Sequence, residues 1–280
     1  LGGYTLEEVI GEGGYATVFA ARGPSGELVA VKVLHLVQAI EGEEEGETRK
    51  RRAELEKRFH LEIQALRTIK SPYVVRYISH DQEEDGTPYL VMELVAGQCL
   101  RSILDETRYL PTIVALNHAR EICLGLAVAH THKIVHRDVK PGNVIVGQII
   151  RLVDFGAVQM NGSNGNLTNT VEAVQSGRAV VLGTLDYMAP EQAALQTITG
   201  ACDMFAVGVL LYEMLTGQRL LLGFDVGELY HQIANGKTTL EDATQRLDPR
   251  VIAYYPKVNE LFPEDVPSSF GIATTFVARG

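Results

Sequence analysis

The chain carries no excess of basic charge. Across its 280 residues, 25 Lys and Arg stand against 35 Asp and Glu, a formal charge of −10 with a pI near 5.3. Proteins that bind a phosphate backbone gain affinity from clustered Lys and Arg, so nucleic acid is excluded as the expected partner. Cysteine is scarce. Cys99, Cys123 and Cys202 have no metal-ligand spacing. Three thiols spread through apolar segments predict reduced, packed side chains rather than a disulfide framework, which suits a cytoplasmic setting. Long apolar runs are missing too. The most apolar, residues 201–215, is interrupted by Asp203 and Glu213. It is too short for a bilayer, so it predicts a buried helix and no membrane segment within this chain. No basic-then-apolar leader opens the chain, which starts on Leu1. This predicts a piece of a longer protein, and a flanking anchor would move the expected location to the cytoplasmic side of a membrane. No repeat at solenoid periods is present. What is abundant is apolar side chain, 46% of the residues. That is enough for one large domain or two lobes with a substantial core, and it excludes general disorder.

The first third alternates β-rich runs with turn signals. Residues 4–10, 16–22 and 28–34 predict a meander of antiparallel strands, with Gly23-Pro24-Ser25-Gly26 turning the chain between the second and third. The acidic, Gly-punctuated stretch 41–47 predicts a solvated loop. Residues 49–69 predict a helix with Leu55, Phe59, Ile63 and Leu66 along one side. Residues 74–79 and 89–94 predict two more strands, joined by the polar turn 81–88. From Leu100 the pattern becomes mainly helical, with 113–130 a helix and 144–146 and 150–153 a short hairpin. The expected fold is therefore α+β and two-lobed: a small antiparallel five-stranded β lobe with one helix, and a larger mainly α-helical lobe. The division falls near Ala96-Gly97, giving residues 1–95 and 96–280.

The densest chemistry lies in His136-Arg137-Asp138-Val139-Lys140-Pro141-Gly142-Asn143, followed by Asp154-Phe155-Gly156. Phosphoryl transfer asks for little covalent help and much positioning, because charge builds on the γ-phosphoryl oxygens while attacking and leaving oxygens align. Asp138 could accept the proton of a substrate hydroxyl, Lys140 could neutralise the γ-phosphate, and Asn143 with Asp154 could hold Mg²⁺ through hard oxygens. A lone Asp-Phe-Gly could be an ordinary turn; the ordered set is far more specific. Upstream, Gly11-Glu12-Gly13-Gly14-Tyr15-Ala16-Thr17-Val18 lies between two predicted strands, where glycines let backbone amides approach phosphate oxygens. A bare hairpin turn is the competing explanation. Val29-Ala30-Val31-Lys32 sets one cation in an apolar strand, which calls for a phosphate and a carboxylate partner.

With these motifs in this order, the chain resembles the eukaryotic-type (Hanks-type) serine/threonine protein kinases and looks most like bacterial members. The resemblance implies ATP and Mg²⁺ in a cleft between the lobes. Ile10, Gly11, Glu12, Gly13, Gly14, Tyr15 and Val18 would cover the phosphates, with Ala16 standing where the family carries a third Gly. Lys32 would touch the α- and β-phosphates, with Glu62 as its carboxylate partner. Val18, Ala30 and Ile145 would sandwich the adenine. Tyr89-Leu90-Val91-Met92-Glu93-Leu94-Val95 resembles the strand and hinge, where Met92 limits the back pocket and Glu93 and Val95 offer backbone groups to the base. Asp138 and Lys140 would be catalytic, and Asn143 and Asp154 the metal ligands.

The resemblance extends to control and substrate. Lys140, two residues after Asp138, resembles the Ser/Thr class, so the implied partners are protein substrates with Ser or Thr acceptors, a second copy of the chain in trans among them. Arg137 marks the subgroup in which a phosphorylated activation segment pairs with this guanidinium; Ser163, Thr168, Thr170 and Ser176 are the candidate acceptors. Gly183-Thr184-Leu185-Asp186-Tyr187-Met188-Ala189-Pro190-Glu191 resembles the substrate-docking element, with Thr184 near Asp138 and Lys140. Asp203 would hold the catalytic-loop backbone, while Phe155, His136, Leu66 and Tyr77 would stack between the lobes. Beyond residue 217 the resemblance fades. Asp248-Pro249-Arg250 is a partial version of a family pattern, so Glu191 is expected either to lack its usual partner or to find Arg250 or Arg279, and residues 240–280 are expected to be divergent or truncated. The expected activity is transfer of the γ-phosphoryl of Mg·ATP to Ser or Thr hydroxyls, including the chain's own activation segment. One alternative is a pseudokinase-like nucleotide-binding scaffold, against which intact Lys32, Asp138, Asn143 and Asp154 argue. Another is a small-molecule kinase, disfavoured by the 183–191 segment.

Overall fold

The computed structural model of the chain describes residues 1–35, 45–156, 159–160, 185–189, 192 and 197–219. Five antiparallel strands open it: β1 (Thr5–Glu12), β2 (Ala16–Arg22), β3 (Leu28–Leu34), β4 (Tyr77–Gln82) and β5 (Pro88–Glu93). They pair in the order β1-β2-β3-β5-β4. Because side chains alternate across a strand, β3 sorts its residues to two faces. Val29 and Val31 join Ala21, Tyr89 and Val91 in an outer cluster, whereas Ala30 and Leu34 join Leu90 and Met92 in the main core. Lys32 lies on this second face, opposite Val18 of β2 and Leu90 of β5.

Helix α1 (Glu45–Thr68) covers that face, burying Leu55, Phe59, Ile63 and Leu66 at helical spacing. It starts inside the acidic stretch expected to be a loop. Glu62 lies on the same buried side with 2% of its surface exposed, an acid among apolar residues.

The fourth strand departs from expectation. β4 begins at Tyr77, and Val74 and Val75 pair instead with the larger lobe: the Val75 amide donates to the Leu152 carbonyl at 2.9 Å and the Leu152 amide to the Tyr73 carbonyl at 2.8 Å. An apolar run announces an extended buried segment but not which sheet receives it. The strand itself is built from Tyr77-Ile78-Ser79-His80-Asp81-Gln82, whose polar end is exposed as suits a sheet edge.

The larger lobe contains α2 (Leu100–Thr107), α3 (Thr112–Thr131) and α4 (Ala201–Thr216). The short strand β6 (Gln98–Cys99) precedes α2, and β7 (Ile134–Val135), β8 (Val144–Val146), β9 (Ile150–Leu152) and β10 (Gln159–Met160) run between α3 and α4. β6, β8 and β9 form one small sheet, and β7 pairs with β10. α3 buries Ala115, Ala119, Ile122, Leu126 and Ala129. Among the described residues it is also the helix long and apolar enough to cross a membrane by length and composition, rather than the 201–215 run. In the fold it packs against α4, β7 and β9. α4 is buried nearly all round and ends at Gly217, whose φ of 68° and amide bond to the Glu213 carbonyl make a left-handed cap. The three cysteines carry thiols, and burial pushes that of Cys123 up to about 12.

Candidate active site

Three elements from both lobes meet at Lys32. Its ammonium lies 2.8 Å from each carboxylate oxygen of Glu62 on α1 and 2.7 Å from Oδ1 of Asp154, which follows β9. Burial alone would pull the Lys32 pKa down, but the charges of Asp154 and then Glu62 reverse this and raise it. Burial pushes Glu62 up to about 7 despite Lys32, and the Asp154 charge adds to the rise. Asp154 goes the other way. Burial opposes its ionisation, but Lys32 outweighs that and, with smaller help from His136 and Lys140, holds it well below the carboxylate range. Asp154 keeps 43% of its side-chain surface open, against 12% for Lys32 and 2% for Glu62, so it is the accessible member.

The backbone is shaped around this cluster. Asp154 has φ 63°, a left-handed conformation that β-carbon sterics disfavour. It is steadied by the Gly156 amide, which donates to Oδ1 at 3.2 Å. A Cβ on Gly156 would lie 3.0 Å from that oxygen and 3.5 Å from Glu62 Oε2. A larger residue there would press on Oδ1 and require it to give by a few tenths of an ångström.

Asp138 stands beside a second set. Lys140 Nζ donates to its Oδ2 at 2.7 Å, and the Asn143 amide donates to the same oxygen at 3.1 Å and to the Asp138 carbonyl at 2.8 Å. Asn143 closes a short 3-10 turn, Pro141–Asn143, and its carbonyl accepts the Val153 amide at 2.9 Å, tying this loop to the residue before Asp154. The loop rests on Asp203, fully buried at the start of α4. That carboxylate accepts the His136 amide at 2.9 Å and the Arg137 amide at 2.7 Å, and meets His130 Nε2 at 2.8 Å. His136 has no exposed surface and packs on Phe155 with ring centroids 4.4 Å apart; Leu66 is also fully buried, and Tyr77 is partly buried beside the same core.

Ala30 and Met92 are buried, Val18, Val95 and Ile145 half-buried, and Ile145 is paired with Cys99 and Arg151 across its small sheet. Ile10, Glu12, Gly13, Gly14 and Tyr15 are exposed, and Gly11 half-buried. A Cβ at Gly14 would meet nothing within 4 Å, and no left-handed φ occurs at Gly11, Gly13 or Gly14. Protein packing therefore does not require glycine at Gly14. The Glu93 carboxylate turns to Arg76 and Arg151, so its side chain is committed to the protein.

The donor set suits Mg²⁺. Among the described residues no three His, Cys, Asp or Glu side chains gather into a metal cage. Mg²⁺ characteristically takes one or two carboxylates and completes its shell with water and phosphate, and Asp154 plus the Asn143 amide oxygen offer that arrangement.

Several contacts were not foreseen from the sequence. Gln192, 1% exposed, donates to the Arg137 carbonyl at 3.0 Å and accepts the Ala189 amide at 3.0 Å. Glu213 of α4 receives Arg101 at 2.7 Å and the Tyr187 hydroxyl, with Arg219 bridging to Asp186 at 2.7 Å. An acid interrupting an apolar helix was the visible signal, since a buried carboxylate needs partners. Ser163, Thr168, Thr170, Ser176, Thr184, Glu191, Arg250 and Arg279 lie outside the described residues.

Comparison with known proteins agrees with this geometry. The family described as Protein kinase domain matches residues 4–262, past residue 217 where the individual motifs fade. Serine/threonine-protein kinase PknL of Mycobacterium tuberculosis is 34% identical over 270 residues, 93% of this chain and 58% of its own length. Probable serine/threonine-protein kinase PknB of Corynebacterium glutamicum is 33% identical over 222 residues, 77% of this chain and 31% of its own. Serine/threonine-protein kinase PknB of Mycolicibacterium smegmatis is 32% identical over 227 residues, 79% of this chain and 33% of its own. The chain thus spans little more than half the length of the first of these relatives and about a third of the others. A two-lobed fold, two carboxylates on one lysine at the cleft, and a family match across most of the sequence make this chain a member of the protein kinase domain family.

Proposed function

We propose that this chain transfers the γ-phosphoryl group of Mg·ATP to Ser or Thr hydroxyls of proteins. The observation that carries the reading is Lys32 held between Glu62 and Asp154, beside a loop that gathers Asp138, Lys140 and Asn143. The names of the relatives, all Ser/Thr protein kinases, support the substrate class.

Lys32 has three N–H donors, and Glu62 and Asp154 engage all of them. Phosphate oxygens of ATP would take over the contact now made by Asp154, the more exposed carboxylate, leaving it and Asn143 to hold Mg²⁺. When bound, Mg²⁺ supplies positive charge at the phosphate oxygens. Ala30, Val18 and Ile145 would enclose the adenine, Glu93 and Val95 would meet its edge through main-chain groups, and Met92 would bound the pocket behind it. The lid from Ile10 through Val18 would exclude water from the phosphates. Asp138, oriented by Asn143, accepts the proton of the substrate hydroxyl as its oxygen bonds to the γ-phosphorus; the bond to the β-γ bridging oxygen breaks and ADP leaves. Lys140, now on Asp138, moves its charge toward the transferring group. Arg137 would pair with a phosphorylated residue of the activation segment.

Asp138→Asn tests the reading. General-base loss predicts a fall of about 10²- to 10⁴-fold in phosphate transfer to a protein acceptor. Mass spectrometry of the protein with and without ATP and Mg²⁺ then identifies any self-modified Ser or Thr. Transfer by the Asn variant at the unaltered rate would refute Asp138 as the base.

A further inference from the structure

We infer that Arg151 is a positioning residue for the adenine end of the nucleotide site, acting through Glu93; this deepens the reading above and rests on it. β9 alternates, with Ile150 and Leu152 fully buried and Arg151 turned to the other side. There its Nε lies 3.3 Å from Glu93 Oε1, while Nη1 meets the Ile150 carbonyl at 3.4 Å. The same Glu93 oxygen accepts the Arg76 amide at 2.9 Å, and the Glu93 amide donates to the Arg76 carbonyl at 2.9 Å. Glu93 is thereby clasped twice by Arg76, and Arg151 adds the only side-chain ion pair between this strand end and the β8-β9 hairpin among the described residues.

Downstream, the connecting segment is fixed to the same hairpin by main chain. Gln98 pairs with Val146 and Cys99 with Ile145. The approach is so close that a Cβ on Gly97 would lie 2.4 Å from the Val146 carbonyl oxygen, and one on Gly147 2.4 Å from that of Ala96. The segment is held at two points, by backbone at 97–99 and by one ion pair at 93. Leu94, Val95 and Ala96 lie between them, the stretch expected to meet the base. Arg151 is also the cross-strand neighbour of Ile145, the expected floor of the base pocket. One guanidinium thus supplies the side-chain tie between hinge and floor, beside the backbone pairing at Gln98 and Cys99. The pair keeps 22% and 24% of its side-chain surface exposed. It is more enclosed than the surface pairs that contribute little. Its hydrogen bonds and ion pair go to Glu93 and Ile150 and not to Asp138, Lys140 or Asn143, so its effect falls on binding rather than on chemistry.

The experiment compares Arg151→Gln, Arg151→Lys, Glu93→Gln and the Arg151→Gln/Glu93→Gln double variant. Kd is measured for Mg·ATP and for magnesium tripolyphosphate, which has the phosphates but no base, together with kcat and KM. A coupling of up to about 1 kcal/mol corresponds to roughly a fivefold change. Each Gln variant should weaken Mg·ATP by about three- to fivefold with tripolyphosphate unchanged, and Arg151→Gln should keep kcat within about twofold. The double variant should be no weaker than the singles, because both remove one interaction. Arg151→Lys should recover part of the loss. Unchanged ATP affinity, additive losses, or equal losses for ATP and tripolyphosphate would each overturn the inference. Glu93→Gln keeps an acceptor for the Arg76 amide and carries the test if Arg151→Gln does not fold. A wild-type chain that binds Mg·ATP without transferring phosphate would refute the kinase reading, while the binding comparison would still decide the role of Arg151.

Discussion

Glu62 presents both carboxylate oxygens to the Lys32 ammonium at 2.8 Å, from a helix to a strand 30 positions earlier in the chain. Removing the cation leaves a buried carboxylate facing Asp154 with nothing between them. Lys32→Met should therefore cost on the order of 3 kcal/mol at neutral pH, as for other broken buried pairs, at the low end because Asp154 is partly exposed. The loss should shrink at pH 5, where Glu62 can take a proton. Urea midpoints at the two pH values check this, and equal losses would contradict it.

The Glu62 carboxyl, pushed up to about 7 from 4.5, also predicts a pH dependence. Between those values the folded protein retains a proton that the unfolded chain has released. This group therefore stabilises the fold at the acid end of the window, and the contribution falls as pH rises toward 7. The charged pair with Lys32 forms fully only above about 7. KM for ATP should accordingly rise as pH falls through 7, with the Glu62→Gln variant losing that dependence.

Asp203→Ala strips acceptors from two loop amides. Each buried donor left unpaired costs about 1–3 kcal/mol, so a total loss of roughly 3 kcal/mol or more is expected. Phosphate transfer should fall further than Mg·ATP affinity, because the loop held by Asp203 carries Asp138 and not the hinge. Calorimetric binding alongside transfer assays separates the two.

Two glycines make opposite predictions. Gly97→Ala brings a methyl against the Val146 carbonyl and should destabilise by about 1–3 kcal/mol through overpacking. Gly14→Ala meets no protein atom, so the melting temperature should hold while ATP binding weakens. Thermal melts with and without Mg·ATP distinguish these outcomes.

Tyr187→Phe removes the hydroxyl that donates to the buried Glu213 carboxylate. A hydrogen bond to a charged group contributes about 1.5–3 kcal/mol, and Arg101 remains to hold the carboxylate, so the expected loss is near the lower figure. Combining it with Arg101→Gln should give a larger loss than the sum of the two, measured as a double-mutant cycle.

Elements with a strong period were legible in the sequence. The apolar stripe of Leu55, Phe59, Ile63 and Leu66 announced α1, and the alternation in 28–34 announced β3. The start of α1 was not, because an acidic run reads equally as loop or as exposed helix. Val74 and Val75 read as strand but gave no sign that their hydrogen bonds would go to Leu152. At the site, the spacing of Asp138, Asn143 and Asp154 was visible, whereas the pairing of Lys32 with Glu62 came from resemblance alone. The pairing of Arg151 with Glu93 carried no signal, since an exposed-looking charge does not name its partner. Glu213 did carry one, an acid within an apolar helix, but its donors come from Arg101 and Tyr187, distant in sequence.

The bonds from Tyr73 and Val75 to Leu152 have a mechanical consequence. They anchor the chain just after Thr68 to the opposite lobe, so the 24-residue helix is tied to that lobe through its C-terminal end. At 1.5 Å per residue the rod is about 36 Å long, and Glu62 sits about 9 Å from the anchored tip. Tilting about that fulcrum divides displacement by roughly four before it reaches the carboxylate. A shift of about 4 Å at Glu45 would thus move Glu62 by about 1 Å, enough to stretch a 2.8 Å contact beyond hydrogen-bonding range.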